Sequence, residues 1–105
     1  MCIRDRVQSI ENINCCATQA KNLGLSVHLD GARLMNAAIK MNQPPKVIVE
    51  KMDSVSLCLS KGLGAPAGSV LASSKAIINR AYRIRKLVGG GLRQAGIIAS
   101  AGIYA

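Results

Sequence analysis

The sequence predicts an α/β fold in which mainly parallel strands alternate with crossover helices, and two observations support this class. Segments whose apolar residues recur every three or four positions alternate along the 105 residues with segments of period-two spacing. In addition, 31 positions separate Asp30 from Lys61, and each residue follows or ends a predicted strand. That span fits one strand–crossover–strand unit, so both side chains are expected at the same edge of the sheet.

The composition predicts a small hydrophobic core. Half of the residues are apolar, but the chain has no Phe and no Trp, so the core must be built from aliphatic side chains and alanine. Small side chains bury little area each, which makes independent stability doubtful at this length. Such a composition suits one part of a larger protein.

The charge is strongly basic and unevenly placed. The net charge is +9, and residues 54–105 carry seven basic residues and no acidic one. A basic balance raises nucleic acid as a partner, but the chain carries no zinc-finger, KH or RRM motif and few aromatic residues for base stacking. Nucleic-acid binding is therefore not favoured, and a small phosphorylated or carboxylate-bearing ligand fits the charge as well.

The four cysteines predict a reducing compartment, because none of them forms a C-x-x-C pair and two are adjacent. We expect no metal site. The first residues lack the apolar segment of a secretory signal, and no run reaches the ~18 apolar residues of a membrane span. These features predict a soluble, cytoplasmic protein. Residues 1–6 show no periodicity and are interpreted as a tail.

The first predicted unit is a helix followed by a strand. Helical spacing covers Gln8 to Asn22, and Gly24 is a plausible residue to end that helix. The run from Leu25 to Leu29 alternates as a strand. It places His28 and Asp30 on one face.

The second unit repeats this order. An alanine-rich helix is predicted from Arg33 to Met41, after which Pro44 and Pro45 break the helix and start a short helical turn through Val47–Met52. Asp53 opens a second strand. That strand continues from Val55 to Ser60 and delivers Lys61 at its carboxyl end, where functional side chains collect in α/β sheets. The alternative is that Lys61 is an ordinary solvated loop lysine.

The glycine-rich segment after Lys61 predicts a tight turn. Its spacing, G-x-G-x-x-x-G over Gly62–Gly68, differs from the dinucleotide-binding fingerprint, and a strand at Ser69–Ala72 follows. An amphipathic helix is then predicted over Lys75–Val88. Gly89–Gly91 interrupt it, and a helix of small residues is expected over Leu92–Ala105.

Four segments carry a resemblance to a known family: VHLDGAR at 27–33, SLCLSKGLGAP at 56–66, GSVLASS at 68–74 and RKLVGGGLRQAGIIASAGIYA at 85–105. In this order and spacing they closely resemble the low-specificity L-threonine aldolases, of the β-eliminating lyase family of pyridoxal-phosphate enzymes. The resemblance runs from Val7 to Ala105 and leaves residues 1–6 unmatched.

The resemblance implies part of the large domain of a fold type I pyridoxal-phosphate enzyme, with a mainly parallel sheet and an active site at a subunit interface. A homo-oligomer, dimeric or tetrameric, is therefore expected. Residues 7–105 would form a central part of that domain, without its N-terminal portion and without the C-terminal small domain.

The resemblance also assigns roles to three residues. Lys61 would be the Schiff-base lysine, Asp30 would hold the cofactor's pyridine nitrogen, and Arg33 would lie beside the cofactor and bind the substrate carboxylate. The chemistry supports these assignments independently. A neutral amine attacks an aldehyde, a carboxylate keeps a pyridine nitrogen protonated, and a guanidinium matches a carboxylate by paired hydrogen bonds.

Four further residues carry weaker assignments. His28 is expected to hydrogen-bond Asp30 or else to be a satisfied core histidine, and Ser60 to bind the cofactor phosphate or else to be a strand-end serine. Lys86 and Arg93 match basic positions of the family motifs, near the substrate for Lys86 and near the phosphate or subunit contact for Arg93. The alternative for Arg93 is a solvated helix-end arginine. Leu92 replaces the family's usual methionine.

The implied activity of the full-length protein is cleavage of L-threonine or L-allo-threonine to glycine and acetaldehyde with pyridoxal phosphate. Two alternatives stay open from the sequence. One is another β-eliminating amino-acid lyase that uses the same Lys61 and Asp30. The other is a non-catalytic basic binding fragment, since the implied pocket is incomplete within these residues.

Overall fold

The computed structural model describes residues 6–105, so all but the last residue of the predicted tail lies outside the described part. The described chain forms five helices and three strands. In chain order they are α1 (Ile10–Asn22), β1 (His28–Asp30), α2 (Leu34–Met41), α3 (Pro45–Ile48), β2 (Ser54–Cys58), β3 (Ser69–Ser73), α4 (Lys75–Leu87) and α5 (Gly96–Tyr104).

The three strands form one sheet in the order β1-β2-β3. Strands β1 and β2 are parallel, with His28 opposite Ser54 and Asp30 opposite Ser56. Strand β3 returns antiparallel to β2, with Ser69 opposite Cys58. The α/β class and the parallel crossover are therefore confirmed, whereas the tight turn predicted before β3 is wrong, because the longer loop 59–68 connects β2 to β3.

Local capping signals set the ends of the helices. The hydroxyl of Ser9 accepts a hydrogen bond from Asn12 N at 3.2 Å, and Ser74 caps α4 in the same way. Gly24 follows α1 with φ 72°, and Asn42 ends α2 with φ 51°. Both residues adopt the left-handed conformation that stops a helix.

Several predicted boundaries are wrong. Strand β2 ends at Cys58 rather than Ser60, because the chain turns at Leu59, so Lys61 lies in the following loop and not at the end of the strand. Strand β1 begins at His28 rather than Leu25, because the backbone of Val27 bonds to Asp53 and Ser54 ahead of the regular ladder. The helical turn predicted through Val47–Met52 is instead helix α3, which ends at Ile48. Helix α5 begins at Gly96 rather than Leu92, since the chain leaves α4 through Gly89 at φ 79° and first runs irregularly.

Asp53 connects three elements at the start of the parallel pair. Its Oδ2 accepts a hydrogen bond from Val27 N at 2.7 Å, and its Oδ1 lies 3.3 Å from the ammonium of Lys21 at the end of α1. Its carbonyl oxygen accepts a hydrogen bond from the hydroxyl of Ser73 at 2.6 Å. The residue thus ties α1 and β3 to the point where β1 and β2 meet.

The core of the described chain is small, as its composition predicts. Six apolar residues are buried, and four of them are alanines. Ile48 is the largest fully buried side chain. Many larger apolar side chains are instead exposed, including Ile84 in α4 and Ile103 in α5. The sheet and the first three helices therefore supply most of the packing.

The helices between residues 6 and 105 are all too short or too polar to cross a bilayer.

Replacing Asp53 tests this junction. The backbone hydrogen bond from Val27, together with the Lys21 ammonium, holds the pKa of Asp53 below its ordinary value of 3.8 against the opposing effect of desolvation. A lowered pKa stabilises the fold above about pH 5, and this stabilisation is lost as the pH falls below about 4. Asp53→Asn is expected to lower the thermal midpoint at pH 7 and to leave it nearly unchanged near pH 2.

The matched control is Glu50→Gln, which removes an exposed carboxylate a few residues earlier. An equal loss for Asp53→Asn at both pH values would contradict the electrostatic role of Asp53.

Candidate active site

The turn after β1 presents the carboxylate of Asp30 at the carboxyl end of the parallel pair. Asp30 is exposed, and its Oδ1 accepts a hydrogen bond from Ala32 N at 3.3 Å. This is an Asx-turn, in which an aspartate binds the backbone two residues later. The turn closes with Leu34 N donating to Gly31 O at 2.9 Å. The carboxylate is therefore oriented by its own backbone.

Gly31 allows this turn to lie directly on β2. A Cβ at this position would stand 2.8 Å from the backbone oxygen of Ser56 and 3.3 Å from a methyl group of Val55. Gly31 and Ala32 are both buried. Only a residue without a side chain permits so close an approach of the two strands' ends.

Arg33 follows as the N-cap residue of α2 and is exposed. Together with Asp30 it lines a cavity of about 400 Å³ between the Asp30 turn and α2. Two more cations, Arg6 and Lys40, lie around the same cavity, while Ile48 contributes to its apolar part. Three cations against one carboxylate suit a ligand with anionic groups.

Lys61 lies in the loop that follows β2. Leu59 N donates to Gly68 O and Ala65 N donates to Leu59 O, both at 3.0 Å, so the loop is closed at its base. At the tip, Gly64 N donates to Lys61 O at 3.0 Å. Lys61 itself is exposed, and Ala65 is buried beneath it in the loop.

The Lys61 loop contacts α2 beside the cavity. A Cβ at Gly62 would overlap the side-chain amide oxygen of Asn36, which belongs to the first turn of α2 and also lines the cavity. The fold therefore brings the Lys61 loop, the Asp30 turn and the start of α2 together, although Lys61 is not part of the cavity lining.

Comparison with known proteins identifies the family. A sequence model of the family described as "Beta-eliminating lyase" matches residues 5–105. The chain belongs to the β-eliminating lyase family. Its match begins two residues before Val7 and so includes the end of the predicted tail.

Curated relatives within this family include threonine aldolases. The chain is 48% identical over 100 residues to the "probable low-specificity L-threonine aldolase 2" of Arabidopsis thaliana, a match that covers 95% of the chain and 28% of that protein. It is 51% identical over 88 residues to the low specificity L-threonine aldolase of Escherichia coli K12, covering 84% of the chain and 26% of that protein. The chain thus spans little more than a quarter of the length of these relatives.

A solved structure agrees with this relationship. The chain is similar, with a TM-score of 0.88 and 26% identity, to a crystal structure from Listeria monocytogenes EGD-E assigned as an L-allo-threonine aldolase. That similarity covers 94% of this chain and 28% of the solved one. The sheet and helices described above therefore form part of the α/β domain of this family.

The other predicted site residues lie at varied positions. Nδ1 of His28 is 2.8 Å from the hydroxyl of Ser54, its partner in the parallel register, so the imidazole bonds to Ser54 rather than to the predicted Asp30 and is exposed rather than part of the core. Ser60 is exposed in the turn directly before Lys61. Lys86 lies near the end of α4 and folds back toward Gly91, where a Cβ, if one were present, would stand 3.1 Å from the ammonium nitrogen of Lys86. Arg93 lies in the irregular segment before α5, so the alternative interpretation as a helix-end arginine is wrong, and its assignment to a phosphate or subunit contact stays a prediction.

Sequence reasoning gives no site role to two residues that contact distant segments of the folded chain. Asp53 is predicted only as the start of a strand, yet it binds Val27 and Lys21. Asn36 receives no role, although it stands three residues after Arg33 and hence on the same side of the first helical turn. That spacing is the one signal in the sequence for Asn36.

Gly31→Ala tests the close approach of the Asp30 turn to β2. The added methyl group meets a backbone oxygen that belongs to the sheet, so we expect a loss of about 1–3 kcal/mol in the free energy of unfolding, measured in urea. Gly96→Ala is the control, because a Cβ there meets nothing within 4 Å. Equal stability of the Gly31→Ala and Gly96→Ala variants would show that the turn does not need glycine.

Proposed function

We propose that this chain supplies the lysine, carboxylate and guanidinium of a pyridoxal-phosphate enzyme that cleaves L-threonine or L-allo-threonine to glycine and acetaldehyde. The observation that carries the proposal is the parallel pairing of β1 with β2, which sets Asp30 and the Lys61 loop at one edge of the sheet. The activity is proposed for a longer enzyme, since the chain spans 28% of its Arabidopsis relative.

The chemistry of the residues at this edge fits pyridoxal phosphate. The cofactor carries an aldehyde, a pyridine nitrogen and a phosphate. The exposed amine of Lys61, on the loop after β2, matches the aldehyde. The carboxylate of Asp30, which its own backbone orients after β1, matches the ring nitrogen, and the guanidinium of Arg33 at the start of α2 matches an anion. When bound, the cofactor supplies an electron-accepting ring conjugated to the substrate's amino group.

Lys61 is the proposed nucleophile toward the cofactor aldehyde. The amine reacts in its unprotonated form, and Gly62, the next residue, lies against Asn36 on the cavity wall, which places Lys61 beside the cavity. Because its loop is closed at the base and exposed at the tip, Lys61 is accessible to a ligand.

Asp30 and Arg33 are proposed to orient the two ligands. The Asp30 carboxylate, held by Ala32 N, would accept a hydrogen bond from a protonated ring nitrogen. The guanidinium of Arg33 pairs with the carboxylate of the amino acid through two parallel hydrogen bonds. The substrate loses its hydroxyl proton as the Cα–Cβ bond breaks, and the α-carbon gains a proton, so threonine gives one glycine and one acetaldehyde.

The remaining assignments are also proposals. We assign Ser60, next to Lys61, to the cofactor phosphate, and His28, through Ser54, to support of the Asp30 strand. Lys86 is assigned to the substrate side and Arg93 to a phosphate or subunit contact in a dimer or tetramer. The exposed free thiols of Cys15 and Cys16 favour a reducing compartment such as the cytoplasm.

Lys61→Ala tests the assignment of the nucleophile. In the full-length enzyme that contains this chain, we expect the substitution to lower kcat/KM for threonine cleavage by at least about 10³-fold. After incubation with pyridoxal phosphate and reduction with borohydride, mass spectrometry is expected to find the added mass on the Lys61 peptide of the wild type alone.

Lys75→Ala, which alters an exposed lysine at the start of α4, is the control and is expected to keep both properties. Retained acetaldehyde release in the Lys61→Ala variant would end the assignment.

Product analysis tests the reaction class. With threonine and allo-threonine the enzyme is expected to release glycine in equal amount to acetaldehyde, because Cα–Cβ cleavage conserves both halves of the substrate. Serine and aromatic amino acids serve as comparison substrates. Release of ammonia with a keto acid, in place of glycine, would identify a β-eliminating lyase of another specificity.

A further inference from the structure

Asn36 and Gly62 are in unusually close contact. A Cβ built on Gly62 would overlap Oδ1 of Asn36 and would stand 2.8 Å from its Cγ and 3.2 Å from its Nδ2. The amide of Asn36 thus fills the space that any side chain at position 62 would occupy. A side chain at position 62 would therefore force either the end of the Asn36 side chain or the Lys61 loop to move.

The contact joins the two halves of the proposed site. Gly62 directly follows Lys61, whereas Asn36 lies on the first turn of α2, three residues after Arg33. Asn36, Arg33 and Asp30 line the same cavity of about 400 Å³. The contact therefore places the Lys61 loop beside the residues proposed to hold cofactor and substrate.

The rest of the loop is fixed mainly at its base. The hydrogen bonds of Leu59 with Gly68 and Ala65 secure the base, and the side chain of Leu59 reaches toward Gly68 and Gly102. The hydrogen bond from Gly64 N to Lys61 O lies within the tip and does not connect the tip to another element. Asn36 provides a contact between the tip and α2.

We propose that Asn36 is a positioning residue for Lys61, acting through Gly62 to fix the loop tip against α2. The proposal rests on the proposed function, since it concerns the lysine assigned as nucleophile. A displacement of about 1 Å at a reacting group can cost about 10²-fold in rate, so a contact of this kind affects chemistry more than binding.

The test is a double-mutant cycle in the full-length enzyme that contains this chain. The variants are Gly62→Ala, Asn36→Ala and both together, with Asn79→Ala on the exposed surface of α4 as control. The readouts are kcat and KM for threonine and the rate at which Lys61 is labelled by pyridoxal phosphate and borohydride, relative to Lys75 in the same sample.

Gly62→Ala is expected to lower kcat and the Lys61 labelling rate by about tenfold or more, with KM changed less than about threefold. Asn36→Ala is expected to lower kcat less. In the Asn36→Ala background, Gly62→Ala is expected to have little further effect, because the space for the methyl group is then open. Asn79→Ala should match the wild type.

The positioning role is overturned if Gly62→Ala causes the same loss with and without Asn36, or if Asn36→Ala leaves kcat and labelling at wild-type values. The proposed function fails separately if the wild type labels on Lys61 but cleaves no β-hydroxy amino acid. A wild type that does not label on Lys61 refutes both. Thermal midpoints measured for all variants separate misfolding from displacement of the loop.

Discussion

The parallel pairing of β1 with β2 is the constraint on which the candidate site depends. The pair is short, with three residues of β1 in register with Ser54–Ser56, and it begins where Asp53 binds Val27 N and Lys21. A slip of one residue would turn every side chain of the strand to the opposite face. Fixing this register therefore fixes on which side of the sheet Asp30 emerges and from where the Lys61 loop departs.

Much of this architecture follows from local signals in the sequence. Helical periodicity, Gly24 and the alternation around His28 predict the elements, and the 31-residue spacing predicts a parallel crossover that brings Asp30 and Lys61 to one edge. The start of β1 and the start of α5 are missed because tertiary bonds and irregular backbone decide them. The contact between Asn36 and Gly62 cannot be read from the sequence, since it joins segments that only the folded chain brings together.

The small core and the exposed apolar side chains have one common explanation. Four of the six buried residues are alanines, while Leu87 and Ile103 are 85% and 87% exposed. Residues 54–105 also carry seven basic residues without an acidic one. Burial on this scale stabilises a fold weakly, which agrees with the proposal that the chain acts within a longer enzyme, where further surface covers these side chains.

A crystal structure of the full-length enzyme grown with pyridoxal phosphate would test the assignments of Lys61 and Asp30 together. We expect electron density for the cofactor that is continuous with the Lys61 side chain, with its ring nitrogen within hydrogen-bond distance of the Asp30 carboxylate. Cofactor density joined to another lysine, or a ring nitrogen held by a residue other than Asp30, would contradict these assignments.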